Sequence, residues 1–354
     1  MTIPAKNRFQ KKLLWWFEKN KRDLPWRKTR DPYAIWISEM MLQQTQVSTV
    51  IPYYQSFLKL FPTVRHLARA DLSDVLRVWE GLGYYSRARN LHQAAKIISN
   101  HFHGKIPDTL EDLLGLPGIG RYTAGAILSI AFNKEAPILD GNVKRVLARA
   151  FAIPGDPKEF KTEQQLWEIS GALIPRGHAS SFNQALMELG ATVCTPKAPL
   201  CLICPLHDLC KARALGNPEG YPGRAARKKI PWVEAVSAVI QRNGTVLISR
   251  RPPKGLLGGL WEFPNWEIDN GKNLKRSLKT LLKKEMGVTA KVGDLVGAFQ
   301  HTYSHFKITL HVYPCQILDG KGKGKWVSIR DLHLFPMSRL HRRIAEKIRG
   351  DMVR

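Results

Sequence analysis

The sequence predicts a multidomain protein, all-helical from residue 8 to about 193 and mixed α and β from residue 231 to 354. Three observations predict it. Apolar residues recur at spacings of three and four through the first region, with Pro and Gly marking the turns. Beyond residue 231 the period changes to alternation, the pattern of strands. Between the two lies Gly216-Asn217-Pro218-Glu219-Gly220-Tyr221-Pro222-Gly223, followed by Arg224, Arg227, Lys228 and Lys229, which reads as a linker over 216–230. At 354 residues the chain can build two or three full cores.

The elements follow in order. Phe9, Leu13, Trp16 and Phe17 recur at helical spacing among Lys and Glu, which describes an amphipathic helix of the fold rather than a secretory leader. No run of 18 apolar residues offers a membrane span, so a cytoplasmic location is expected, nucleoid-associated in a bacterium. Asp31-Pro32 is an N-cap with proline at N1, starting a helix with Trp36, Met40 and Met41 on its apolar side. Glu39 lies near the end of that helix, beside Gln43-Gln44-Thr45-Gln46, where an exposed acid is the plain reading. In Trp79-Glu80-Gly81-Leu82-Gly83-Tyr84-Tyr85-Ser86-Arg87, paired glycines and tyrosines precede a basic helix holding Arg87 and Arg89. Such aromatics suit base stacking beside phosphates, or half-buried packing.

Leu116-Pro117-Gly118-Ile119-Gly120 is a tight turn before a small-residue helix, Arg121 to Phe132. Its bare backbone can approach a phosphate at a helix N-terminus, and it equally suits an ordinary helix-to-helix turn. Leu139-Asp140-Gly141-Asn142-Val143 then opens another helix with Asp140 as its N-cap. A phosphate grip at a fixed distance from a carboxylate suggests chemistry on a nucleic acid. Cys194, Cys201, Cys204 and Cys210 follow in a C-x6-C-x2-C-x5-C spacing. Without a secretion signal, four thiols this close mean a metal rather than disulfides. Zinc accepts four cysteines, but only one gap is knuckle-sized, and uneven loops fit an iron-sulfur cluster better.

In the last region Val236, Ala238 and Ile240 lead through Asn243-Gly244 to Val246 and Ile248, a hairpin with a tight turn. A helix from about Asn273 to Met286 and a strand from Lys307 to Val312 complete a small mixed domain, with Cys315 as a core residue. The formal charge is +26 and the pI about 10.1, which favours a polyanionic partner. Residues 231–354 hold 22 Lys and Arg against 10 Asp and Glu, and the rest of the chain holds 33 against 19. Both parts are basic, so the partner runs across both rather than meeting one basic tail.

With these residues in view, the chain resembles the helix-hairpin-helix DNA glycosylase superfamily through Leu116 to Gly120 with Asp140 following, and its iron-sulfur branch through the four cysteines. Within that branch it resembles the MutY-type adenine glycosylase more than the strand-cutting endonuclease III type. The strand-cutting relatives carry a lysine where Tyr122 stands, so no Schiff base forms there. The resemblance continues through Leu42-Gln43-Gln44-Thr45-Gln46, Gly81 to Tyr85, and Phe182-Asn183-Gln184-Ala185. Residues 250–264 resemble the Nudix (MutT) hydrolase fold, an α/β/α domain. Where that hydrolase needs its metal-binding box, Thr280, Leu281 and Lys284 stand in place of Arg, Glu and Glu, and only Glu285 survives.

The resemblance implies a region 1–215 with one 4Fe-4S cluster, divided into a six-helix module over about 30–135 and an iron-sulfur module formed by the N-terminal helix with about 136–215. A 231–354 domain would read 8-oxoguanine through Tyr303-Ser304-His305. It implies a monomeric, monofunctional enzyme that removes adenine opposite 8-oxoguanine or guanine in duplex DNA. Glu39 would be the general acid at adenine N7 and Asp140 the ionised carboxylate near C1′, with Tyr122 and Asn142 supporting them. Gln184 would meet the adenine edge. Leu42, Gln44 and Tyr84 would enter the stack, while Leu116, Gly118 and Gly120 grip the backbone and Lys197 meets a phosphate. The competing readings are an endonuclease III-type glycosylase/lyase and a non-enzymatic DNA-binding protein, the latter disfavoured by two acids facing phosphates.

Overall fold

The computed structural model describes residues 3–223, 230–269 and 271–352. The basic end of the expected linker, with Arg224, Arg227, Lys228 and Lys229, lies outside the described residues. In chain order the first helices are α1 (Ile3–Asn20), α2 (Pro32–Leu42), α3 (Val47–Leu60), α4 (Val64–Arg69), α5 (Leu72–Val78), α6 (Ser86–His101) and α7 (Leu110–Leu114). There follow α8 (Arg121–Ile130), α9 (Gly141–Phe151), α10 (Phe160–Leu173), α11 (Ala179–Thr192) and α12 (Lys211–Ala214). No helix among the described residues is long and apolar enough to cross a membrane.

Contacts divide the chain into two units, 1–69 with 90–227, and 70–89 with 228–354. The first is helical, as its periodicity predicts. Phe9, Leu13, Trp16 and Phe17, the apolar stripe of α1, share one core with Val143 and Leu147 of α9, Leu166 of α10 and Phe182 and Leu186 of α11. Asp31 caps α2 by accepting the Tyr33 N–H at 3.1 Å, with Pro32 at N1. Helix α8 stops at Ile130, two residues short of the expected Phe132. Such ends are set by the last turn's hydrogen bonds, here Ala131 N–H to Ile127 O, which no composition signal marks.

The second unit is a mixed sheet between two helices. Its strands are β1 (Trp232–Arg242), β2 (Thr245–Arg250), β3 (Trp261–Glu262), β4 (Asn265–Ile268), β5 (Thr289–Val292), β6 (Gly297–Thr302), β7 (Lys307–Asp319) and β8 (Lys325–Ser328). The central pair, β1 and β7, is parallel, and the other pairings are antiparallel. Alternation along β1 sends Val236, Ala238 and Ile240 toward α13 (Leu274–Met286), while Ala235 and Val239 join the core of α14 (Arg339–Met352). The Asn243-Gly244 turn has both residues at positive φ, 47° and 73°, as a two-residue hairpin demands. Strand β7 runs seven residues beyond the expected Val312, and Cys315 is buried in it.

Residues 70–89 belong to this second unit although helical sequence surrounds them. Glu80 receives Arg342 through Nε at 2.5 Å and Nη2 at 2.9 Å. Tyr85 donates its hydroxyl to the Met337 carbonyl at 3.2 Å, and Arg89 Nη1 donates to the Gly258 carbonyl at 2.8 Å.

Candidate active site

Glu39 owes its environment to α2. That helix is apolar on every side, and Tyr33 through Met41 are all buried. The plain reading of an exposed acid therefore fails: Glu39 is only 4% accessible, because its helix is enclosed all round. Burial pushes its carboxyl up to about 7, with the Asp140 charge adding and the Tyr122 hydrogen bond and Arg27 opposing. Tyr122, in the first turn of α8, donates its hydroxyl to Glu39 Oε2 at 2.6 Å. Burial pushes the Tyr122 phenol itself well up, so it stays a donor.

Asp140 reaches the site because α8 is built of small residues. A Cβ on Gly125 would lie 2.1 Å from the Pro137 carbonyl oxygen, so only glycine lets that segment press against the helix. Asp140 then becomes the N-cap of α9, as expected: Oδ1 accepts the Val143 N–H at 2.7 Å and Oδ2 accepts the Asn142 side-chain amide at 3.0 Å. Burial raises its pKa, opposed by these donors and by Arg145. Arg145 Nη2 in turn donates to Asn142 Oδ1 at 2.8 Å and to the Gly190 carbonyl at 2.7 Å, and its Nε to the Cys194 carbonyl at 2.7 Å. The two carboxyls thus differ in kind. Asp140 has a helix N-terminus and fixed donors, whereas Glu39 has one phenol and a more distant Arg27, so of the two Glu39 is the better placed to keep a proton.

Glu39, Leu42, Gln44, Gly120, Tyr122, Asp140, Asn142 and Gln184 line one cavity of about 520 Å³. That size suits a small ligand or one extruded base. Gln44 is exposed just beyond α2, at φ +58°. Leu116 and Gly118 lie outside the cavity lining and shape the turn between α7 and α8. There Gly118 has φ +79°, and an added Cβ would meet that of Asn90 at 2.7 Å.

Arg22, Arg27 and Glu188 line the same cavity and escaped the sequence reading. Arg22 forks onto Glu188 through Nε and Nη2, both at 2.7 Å, and Arg27 Nη2 adds a third contact at 2.8 Å. Burial by itself raises the Glu188 pKa, but the two guanidiniums outweigh it and hold it at about 2. The contribution is present above the ordinary carboxylate range and is lost only as pH falls toward 2. Glu188→Ala is expected to destabilise the protein by about 2 kcal/mol or more, because it strands the largely buried Arg27 while Arg22, 38% exposed, can turn to solvent. Denaturant unfolding at neutral pH measures it, and a loss below about 1 kcal/mol, the range of exposed pairs, would show the triad to be peripheral.

In the second unit, Tyr303, Ser304 and His305 form the turn between β6 and β7, closed by Tyr303 N–H to the Phe306 carbonyl at 2.8 Å. They line a cavity of about 330 Å³ that Tyr84 also lines. Tyr84 is 43% exposed and Tyr85 only 5%, so the tyrosine pair divides between surface and core. The four cysteines, none in a disulfide, line one small pocket of about 30 Å³. Burial pushes the Cys204 thiol up to about 12 and raises Cys210, with the neighbouring sulfurs adding to both. Such thiols ionise only against a compensating positive charge. Among the described residues, no three His, Cys, Asp or Glu are placed to hold a single ion.

Fold and site together define a base-excision DNA repair protein: residues 37–171 match the HhH-GPD superfamily of such proteins, and residues 235–347 match the NUDIX domain. A solved thermostable thymine-DNA glycosylase is similar to 60% of this chain over 98% of its own, at 31% identity and a TM-score of 0.55. Adenine DNA glycosylase of Homo sapiens is 36% identical over 97% of this chain and 74% of its own length. That of Buchnera aphidicola subsp. Schizaphis graminum is 38% identical over 92% and 94%. The chain belongs to the adenine DNA glycosylase family, the one its motifs resemble.

Proposed function

We propose that the protein is a monofunctional glycosylase that extrudes adenine mispaired with 8-oxoguanine or guanine from duplex DNA and hydrolyses its glycosidic bond. The observation that carries this reading is the pairing, in one cavity, of a caged carboxyl at Glu39 with a donor-rich carboxylate at Asp140. Glu39 gives its proton to adenine N7, making the base a neutral leaving group, and Tyr122 holds Oε2 in place. Asp140 stabilises the positive charge developing at C1′, with Asn142 fixing its second oxygen. Water completes the reaction and leaves an abasic site. Gln184 is assigned to the adenine edge, Leu42, Gln44 and Tyr84 to the opened stack, and Leu116, Gly118 and Gly120 to the backbone phosphates. The basic balance of both regions supports a duplex partner, engaged by a monomer in the cytoplasm or on the nucleoid. The limits expected from sequence, 1–215, 216–230 and 231–354, are amended by the contacts, which give residues 70–89 to the second unit.

Tyr303, Ser304 and His305 are assigned to the base opposite adenine. Tyrosine supplies the apolar wedge, and Ser304 and His305 supply the polar groups that a modified purine edge requires. Single-turnover excision by Ser304→Ala tests this on duplexes differing only in that base. The rate opposite 8-oxoguanine is expected to fall several-fold more than the rate opposite guanine. An equal fall on both would withdraw the turn from recognition.

The four cysteines are assigned to one 4Fe-4S cluster, which fits four partly buried thiols around one pocket with a guanidinium at its wall. When bound, the cluster supplies a multi-thiolate brace for the loop after α11, and Lys197 in that loop is assigned to a phosphate. Purified protein is expected to be brown and to contain iron and acid-labile sulfide. A colourless protein containing zinc would replace the cluster with a structural zinc site.

A further inference from the structure

Among the described residues, Arg149 is a buried cation without a carboxylate partner. Its accessibility is 2%, and a guanidinium does not shed its proton in a protein. The buried carboxylate Glu188, by contrast, is met by two arginines. Arg149 is met by carbonyls: Nη1 donates to Thr195 O at 2.7 Å, Nη2 to Pro196 O at 3.1 Å and Nε to Tyr221 O at 3.0 Å. Its remaining contact is to sulfur, Nη1 to Cys194 Sγ at 3.4 Å, while Cys210 Sγ donates to the Arg149 carbonyl at 3.5 Å. Dipoles solvate a buried charge but do not neutralise it, so this arrangement calls for negative charge on the cysteine side. Four thiolates on an iron-sulfur core provide it.

We infer that Arg149 is the positioning residue of the cysteine-bound cluster: its guanidinium ties both ends of the loop, at 195–196 and at 221, and donates a hydrogen bond to the Cys194 ligand sulfur. This rests on the cluster assignment above. A donor and a positive charge at a ligand sulfur favour the more reduced, more negative cluster. Arg149 therefore raises the cluster's reduction potential and slows its release.

The test uses the full chain without DNA. Arg149→Lys keeps the charge and loses the fork, whereas Arg149→Met loses both. Iron release to a chelator is expected to be several-fold faster in both variants. The reduction potential is expected to shift clearly downward in Arg149→Met and much less in Arg149→Lys. Because either variant can fail to fold, wild-type protein carrying ¹⁵N-arginine is also examined. Pulsed electron-nuclear spectroscopy of its reduced cluster is expected to show a coupled arginine nitrogen. Iron present but no such coupling, with unchanged release and potential in any variant that folds, overturns the role of Arg149 alone. Wild-type protein holding zinc and no iron overturns the cluster assignment, and this inference with it.

Discussion

Asp140→Asn is expected to lower single-turnover adenine excision by on the order of 10³-fold, the scale set by removing a preorganised electrostatic stabiliser, while duplex binding stays within about threefold of wild type. The reason is the double duty of this side chain. As an N-cap it accepts the Val143 N–H, and asparagine caps a helix about as well, so α9 and the hairpin ahead of it persist. As a carboxylate it faces the cavity with a negative charge that asparagine lacks. Burial also makes that charge costly, so the variant's melting temperature is expected to equal or exceed that of wild type. Full turnover by Asp140→Asn would remove the residue from the chemistry.

Glu39→Gln carries the other large effect, a loss of about 10²- to 10⁴-fold for a general acid. Its pH signature is distinctive. With the carboxyl pushed up to about 7, the wild-type excision rate is expected to fall above that pH as the proton is lost, and to fall again in acid as Asp140 takes up a proton. Stability follows the same group. The raised folded-state value gives a contribution that is complete below the ordinary carboxylate pKa and is lost as pH rises through about 7. Glu39→Gln is therefore expected to melt higher than wild type at pH 8 and to narrow the gap at pH 5. An excision rate without a break near pH 7 would point to another proton donor.

Much of the architecture was legible because local signals decide it. The Asp31-Pro32 start of α2, the Asn243-Gly244 hairpin and the helix expected from about Asn273 to Met286 each follow from local preferences of neighbouring residues. The site was legible through motifs, and a motif names a residue without stating its surroundings. Glu39 shows the limit: nothing beside it in sequence indicates that α2 is covered on all sides. Arg22 and Arg27 meet Glu188 across 166 and 161 residues, and Arg149 meets Tyr221 across 72. Contacts of that separation leave no periodicity to read. The placement of residues 70–89 was hidden for the same reason, since their helical pattern is common to both possible neighbourhoods.

That placement bears on how the chain is made. Glu80 pairs with Arg342, 262 residues later, and Met337 N–H also bonds to its carboxylate at 3.1 Å. During synthesis the segment leaves the ribosome long before residues 337–342 exist, so these particular bonds of Glu80 and Tyr85 form late. Completion of the second unit thus waits for residues 337–342 to be made. A chain cut anywhere before residue 337 loses the bonds that tie residues 70–89 to the second unit, so it is expected to be cleared by quality control before impaired recognition matters.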